Sequence, residues 1–263
     1  MNNNLAAALW AETLKARRSK VPLISAIGFS FAPLAGGLFM VILKDPEAAR
    51  SMGLISVKAQ ITVGSADWAS MFNLLAQAVA IGGTVLFGII TIWCFGREFS
   101  DHTVKDLLAL PTSRATIVTA KCIVIAVWSI ILTLLVIGTG LIIGKLVDIP
   151  GWSTALLMSS LTDILGASLF TIALLPFVAL ITSLGRNYLL PFGWVILTII
   201  LAQIVAFTGW GDFFPWAIPA LFSGAAGPRA DLLGPHSFLI IAASCILGLA
   251  ALYHWWRTAD QTK

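Results

Sequence analysis

Residues 21–43 read Val21-Pro22-Leu23-Ile24-Ser25-Ala26-Ile27-Gly28-Phe29-Ser30-Phe31-Ala32-Pro33-Leu34-Ala35-Gly36-Gly37-Leu38-Phe39-Met40-Val41-Ile42-Leu43, with Lys20 before the run and Lys44 after it. No charge interrupts it. A hydrocarbon core of about 30 Å is crossed by about 20 helical residues. A cleavable secretory leader has an apolar core of only about 7–15 residues. The run therefore reads as a retained first span. Working outward, five further stretches reach spanning length, roughly 71–95, 117–143, 160–183, 189–208 and 238–256. All are too long for strands. Backbone groups in lipid must be satisfied by helices or a closed barrel, and no stretch shows the ten-residue alternation of a barrel strand. The expectation is an all-α membrane protein, residues 1–263 forming one transmembrane domain of six helices.

Composition points the same way. Of 263 residues, 59% are hydrophobic and 11% are charged, against about 25% charged in a soluble domain. The excess apolar surface has to face lipid. The net charge of +4 is spread out. No basic block or stripe of the kind that binds nucleic acid is present. The odd set Cys94, Cys122 and Cys245 sits in or beside apolar runs without metal-ligand spacing, and reads as small buried hydrophobes.

Charge between the spans sets orientation. With the N-terminus inside, the inner segments hold Lys15, Arg17, Arg18, Lys20, Arg97, Lys105, Arg114, Lys121, Arg186, Arg257 and Lys263, against Lys44, Arg50, Lys58, Lys145 and Arg229 outside. The bias follows the positive-inside rule. It puts both termini in the cytoplasm of a multi-pass plasma-membrane protein.

Two segments outside the spans carry pattern. Residues 4–19 suit a short amphipathic helix in the headgroup layer, with Leu5, Leu9, Trp10 and Leu14 on an apolar side and Glu12, Lys15, Arg17 and Arg18 as its polar residues. A frayed extension is the plainer alternative. Residues 213–222 are apolar, too short to cross and interrupted by Pro215 and Pro219. They read as a re-entrant or interfacial segment between the fifth and sixth spans. The first outer loop, 44–70, is polar with no sign of a folded domain.

The most informative loop joins spans two and three: Gly96-Arg97-Glu98-Phe99-Ser100-Asp101-His102-Thr103-Val104-Lys105-Asp106-Leu107-Leu108-Ala109-Leu110-Pro111-Thr112-Ser113-Arg114. Thr103 with Asp106 three later suggests a capping box. The short helix that follows carries Val104, Leu107, Leu108 and Leu110, and Pro111 ends it. Ser113 can cap the third span. Such an apolar face either packs on the chain's own helix ends or docks a cytoplasmic partner.

Arg97-Glu98-Phe99, then Thr103-Val104-Lys105-Asp106-Leu107-Leu108, then Leu110-Pro111-Thr112-Ser113-Arg114 with Lys121 beyond, resembles the cytoplasmic loop of ABC transporter permeases of the type-2 exporter class. His102 stands where glycine is frequent in that family. Glu12, Lys15, Arg17 and Arg18 resemble its N-terminal helix, and the Pro215-Trp216 region its outer re-entrant helices. The resemblance implies a permease subunit that pairs with a second permease, identical or not. Each would engage a separate cytoplasmic ATPase through a coupling helix near 103–110. ATP and Mg²⁺ would be bound by that ATPase, with no cofactor in this chain. The implied function is export, and the small outer loops lean toward a small amphipathic or peptide-like compound such as an antibiotic, lantibiotic or drug.

Catalytic chemistry is hard to place on this chain. Gly138-Thr139-Gly140-Leu141-Ile142-Ile143-Gly144-Lys145-Leu146 mimics a P-loop, but the spacing is wrong and Leu follows Lys where Ser or Thr would bind Mg²⁺. Gly140 and Gly144 read instead as a small-xxx-small pair. His102, His236 and His254 lie far apart in sequence. Asp163 is the ionisable residue that approaches a span interior, about seven residues deep if the fourth span starts at Leu156 and interfacial if it starts at Ser160. A place in a translocation path and an interfacial position both remain open for it. A secondary transporter or channel without an ATPase is the alternative function, and would need several ionisable groups within the spans. Pro176 should kink span four.

Overall fold

The computed structural model describes residues 2–44, 65–108, 111–225 and 233–258. Those residues form helices and turns without a strand. The first outer loop, expected at 44–70, falls largely on 45–64, outside the described residues.

The N-terminal helix α1 spans Asn2–Arg18 and is followed at once by α2, Val21–Lys44. Helix α3 covers Trp68–Ser100, and the short α4 covers Val104–Leu108. Then come α5, Arg114–Val147, α6, Thr154–Gly185, and α7, Leu189–Thr208. A 3₁₀ turn at Gly211–Phe213 and the short α8, Ile218–Phe222, precede α9, Pro235–Thr258. Six of these helices, α2, α3, α5, α6, α7 and α9, are long and apolar enough to cross a membrane. The six spans expected from sequence are these six.

Each span divides its apolar residues between two environments. On α2, Phe29, Pro33, Gly36, Met40 and Leu43 are buried, three or four residues apart on one face. Leu23, Ile27, Phe31, Leu34, Leu38 and Val41 stay exposed on the opposite side, the surface that lipid covers. Helix α6 is central and packs against α3, α7, α8 and α9. The core around it includes Phe87, Ile90, Phe95, Leu132, Ile164 and Val178. Many hydroxyls inside the spans are satisfied locally. Thr91 donates to the Phe87 carbonyl, Thr171 to Ala167 and Thr182 to Val178, each one turn back. Others cross helices: Thr133 Oγ1 meets Ser168 Oγ at 2.8 Å, joining α5 to α6, and Thr119 Oγ1 meets the Tyr253 hydroxyl at 2.7 Å, joining α5 to α9.

Three features depart from a plain reading of six rods. Helix α3 contains a π segment at Ala78–Gly82. Helix α5 runs for 34 residues, well past the expected 117–143. The segment 213–222 packs into the bundle: Ala217, Ile218 and Leu221 are at most 1% exposed, and α8 lies against α6. Pro219 sits in the first turn of α8, where its missing N–H costs no helical bond. Pro176 is buried inside α6, which continues through it as helix, and it lines a small apolar cavity of about 170 Å³ with Cys122 and Cys245.

The connections make two ends. The α1 end gathers the last turns of α3, α6 and α9 and the first turns of α2, α5 and α7. At the opposite end Lys44 Nζ donates to the Val147 carbonyl at 2.5 Å, and the Trp68 N–H donates to the Pro150 carbonyl at 3.1 Å. There the Trp68 ring lies 5.3 Å from Phe72 and 4.8 Å from Trp152. Gly140 and Gly144 of α5 let α3 approach: a Cβ on Gly140 would strike Leu75, and one on Gly144 would strike the Trp68 ring. The small-xxx-small pair thus serves a contact within the chain.

Candidate functional site

The α1 end holds a buried ion cluster drawn from three helices. Lys121 lies within α5, seven residues after its start, and is 0% exposed. Its ammonium donates to Glu12 Oε2 of α1 at 3.0 Å, to Glu98 Oε1 of α3 at 3.0 Å and to the Cys94 carbonyl at 2.9 Å. A lysine has three donors, and all three are used. Cys94 and Glu98 are four apart, so one face of α3 presents both acceptors. Lys15 closes the set, donating to Glu12 Oε1 at 2.9 Å and to Glu98 Oε1 at 2.7 Å. Glu12 and Glu98 are 5% and 3% exposed. Two carboxylates thus face two ammonium groups, and charge balances inside the cluster. A satisfied network of this kind is rigid, and loss of one member strands the others.

The cluster reaches the loop that carries α4. The Thr103 hydroxyl donates to Glu98 Oε2 at 2.7 Å, and its backbone N–H donates to the Glu98 carbonyl at 3.0 Å. The Leu107 N–H donates to the Thr103 carbonyl, starting α4. The acid that the Thr103 hydroxyl meets is therefore Glu98, five residues earlier, and Asp106 points to an exposed position. His102 adopts φ 55°. A left-handed backbone favours glycine, with histidine among the better-tolerated substitutes. On α4, Val104 is 5% exposed and Leu107 packs partly against the core. Part of the apolar face thus turns to the chain's own bundle. The side chains of Lys105, Leu108 and Leu110 lie outside the described residues.

The remaining expected residues scatter around this centre. Arg97 stays outside the cluster, paired with Asp101 at 3.0 Å and lying over the Trp93 ring at 5.6 Å. Pro111 is exposed. Ser113 caps α5 by accepting from the Thr116 N–H at 3.1 Å, as expected. Arg114 donates to the Trp256 carbonyl at 3.1 Å and so anchors α9. Trp256 in turn donates from Nε1 to Ser183 Oγ of α6 at 3.0 Å. Arg17 and Arg18 are exposed, and Trp10 is 68% exposed. Asp163 lies on an exposed face of α6, a helix that starts at Thr154, earlier than either start considered from sequence. An open cleft of about 280 Å³ beside the cluster is lined by Lys15, Glu98, Thr103, Asp106 and Leu107 among others.

Sequence reasoning placed Glu12 on the polar side of an amphipathic helix and treated Asp163 as the ionisable group nearest a span interior. The structure buries Glu12 and gives the interior position to Lys121. The available signal was Lys121 itself, a charge four residues inside the expected third span, which is a functional candidate by default. Among the described residues no group of three or more His, Cys, Asp or Glu could hold a metal.

Six apolar helices with no strand among the described residues, two of them tied to α1 by a buried ion cluster, define a multi-pass membrane protein. A family model described as ABC-2 family transporter protein matches residues 8–205, from α1 through most of α7. The chain belongs to that family and is a transport permease subunit. It is similar to the bacitracin transport permease protein BCRB of Bacillus licheniformis, at 29% identity over 184 residues, covering 69% of this chain and 87% of the relative. No solved structure matches.

Proposed function

We propose that this chain is the membrane subunit of an ATP-driven exporter and that α4 is the element gripped by a separate cytoplasmic ATPase. Family membership supports the reading, because ABC-2 permeases work in general with an ABC ATPase. ATP and Mg²⁺ then belong to that partner, and two permease subunits, alike or different, complete the assembly. The excess of Lys and Arg at the α1 end supports a cytoplasmic location for both termini. The relative's name supports a peptide-like or amphipathic antibiotic as cargo.

The observation that carries the reading is the Thr103–Glu98 hydrogen bond and what lies behind it. A push on α4 reaches Glu98 directly. Glu98 is tied to Lys15 on α1 and Lys121 on α5. Three elements therefore move with α4 as one body, as a lever needs. ATP-driven closure of the ATPases would act by favouring one permease conformation through differential contacts at this lever.

The test is retention of the co-expressed ATPase on purification. Asp106→Arg reverses the charge of an exposed α4 position and leaves the buried cluster alone. It is expected to lower ATPase retention at least tenfold while membrane insertion stays unchanged. Full retention by Asp106→Arg combined with Leu107→Asp, in a normally inserted chain, would remove α4 as the docking element.

A further inference from the structure

A groove of about 430 Å³ runs along the surface between α1, the start of α2 and the middle of α5. Trp128 lies at its base, and Leu9, Val124, Val127 and Ile131 line it. Val127 and Ile131 are 51% and 58% exposed. Polar groups enter at the α1 side, where Thr13 and Arg17, four residues apart, share the face of α1 that meets the groove. Among the described residues no carboxylate pairs with Arg17, since Glu12 and Glu98 are both engaged by Lys15 and Lys121.

Any spanning helix shows apolar residues to lipid. This surface differs in being concave and in having at its edge one guanidinium with no carboxylate partner among the described residues. A trough with a cation at one side complements an amphiphile with an acyl chain and an anionic head. Arginine's planar donors match two phosphate oxygens at once, and the Thr13 hydroxyl adds a donor beside them. We propose that the groove holds one anionic phospholipid, its chain along α5 and its phosphate on Arg17 and Thr13. Such a lipid bridges α1 to α5 beside the point where Glu12 meets Lys121. It acts as a clamp on the cluster, and the assignment stands apart from the choice of ATPase or cargo.

The experiment uses the full-length chain purified in mild detergent and offered phosphatidylglycerol or phosphatidylcholine with identical acyl chains. Retained lipid is counted by native mass spectrometry. One phosphatidylglycerol per chain is expected, with phosphatidylcholine held at least tenfold less. Arg17→Ala should lower phosphatidylglycerol retention about tenfold. Arg18→Ala removes the same charge outside the groove and should change it by about fivefold at most. Val127→Trp fills the groove without altering charge, at a half-exposed position the fold tolerates, and should also lose the lipid. Ile131→Trp repeats that test independently. Equal retention of the two lipids, or equal losses from Arg17→Ala and Arg18→Ala, would overturn the proposal. So would lipid retention in both groove-filled variants, whether or not they alter subunit stoichiometry; a change in stoichiometry would mark the groove as a contact between copies.

Discussion

At the α1 end, two lysines and two glutamates from three helices meet in a buried, charge-balanced set. At the opposite end the same helices α3 and α5 meet through Trp68, Leu75, Gly140 and Gly144, with tryptophan and phenylalanine rings packed edge-on and tilted around them. One junction is directional and depends on every member. The other depends on shape, and its energy is spread over many weak contacts. The contrast assigns different work to the two ends. An ionic junction with fixed donors and acceptors transmits a displacement, whereas a packed aromatic one sets the distance between helices.

The largest effect is expected from removing Lys121. Lys121→Met leaves Glu12 and Glu98 buried with one lysine between them, and should cost about 3–5 kcal/mol, read as a drop in thermal unfolding temperature in detergent. Adding Glu12→Gln restores the charge balance through Glu98 and Lys15, so the double variant should be more stable than Lys121→Met alone. That non-additivity is the mark of direct coupling. A double variant at least as unstable as the additive sum would show that the cluster is not one unit.

At the opposite end, Gly144→Val drives a side chain into the Trp68 ring and should cost about 1–3 kcal/mol by the same measurement. Gly138, about 1.7 turns away, has open space where a Cβ would go. Gly138→Ala should be neutral or stabilising by up to about 1 kcal/mol. Similar losses at both glycines would mean that close approach is not what α5 contributes there.

The smallest effect belongs to Asp67, which caps α3 by accepting from the Ser70 N–H at 2.8 Å. Asp67→Ala should cost about 1 kcal/mol. Partial burial pushes the Asp67 carboxyl up, but hydrogen bonds from Ser65 and Ser70 outweigh it and hold the group below its ordinary value. A lowered folded value means the contribution is complete at neutral pH. It fades as pH falls below the ordinary aspartate range near about 3.9 and onward through the lower folded value. Melting curves of parent and variant should therefore differ at pH 7 and converge in acid, with no change between pH 7 and pH 9.

The spans were legible because length and apolarity are summed properties, and the six runs are long enough to be unambiguous. Their ends were less so. Helices α3 and α5 extend beyond the apolar runs because residues such as Trp68, Glu98, Arg114 and Lys145 continue a helix without adding hydropathy. The cap at Ser113 could be read locally, since it is decided by residues within a few positions, whereas local spacing pointed Thr103 to Asp106 although its partner Glu98 lies on the preceding helix. The ion cluster could not. Glu12 looks like any acid on a short amphipathic helix until Lys121 is placed against it, and nothing nearby in sequence reports that pairing. The π segment at Ala78–Gly82 left no mark in apolar periodicity because its residues are apolar on every side.

The distance along the chain between Glu12 and Lys121 has a consequence for biosynthesis. The two are 109 residues apart, and a ribosome adds roughly 5–20 residues each second. Glu12 has Lys15 beside it from the start but waits about 5–20 s for Lys121 to be made, and most of α5 is made only after that. Over that interval the newborn N-terminal helix carries an acid meant for a dry interior and has to remain at the water boundary. Closure of the salt-bridged knot is then a late event in assembly, one that registers whether the third membrane crossing has arrived in place.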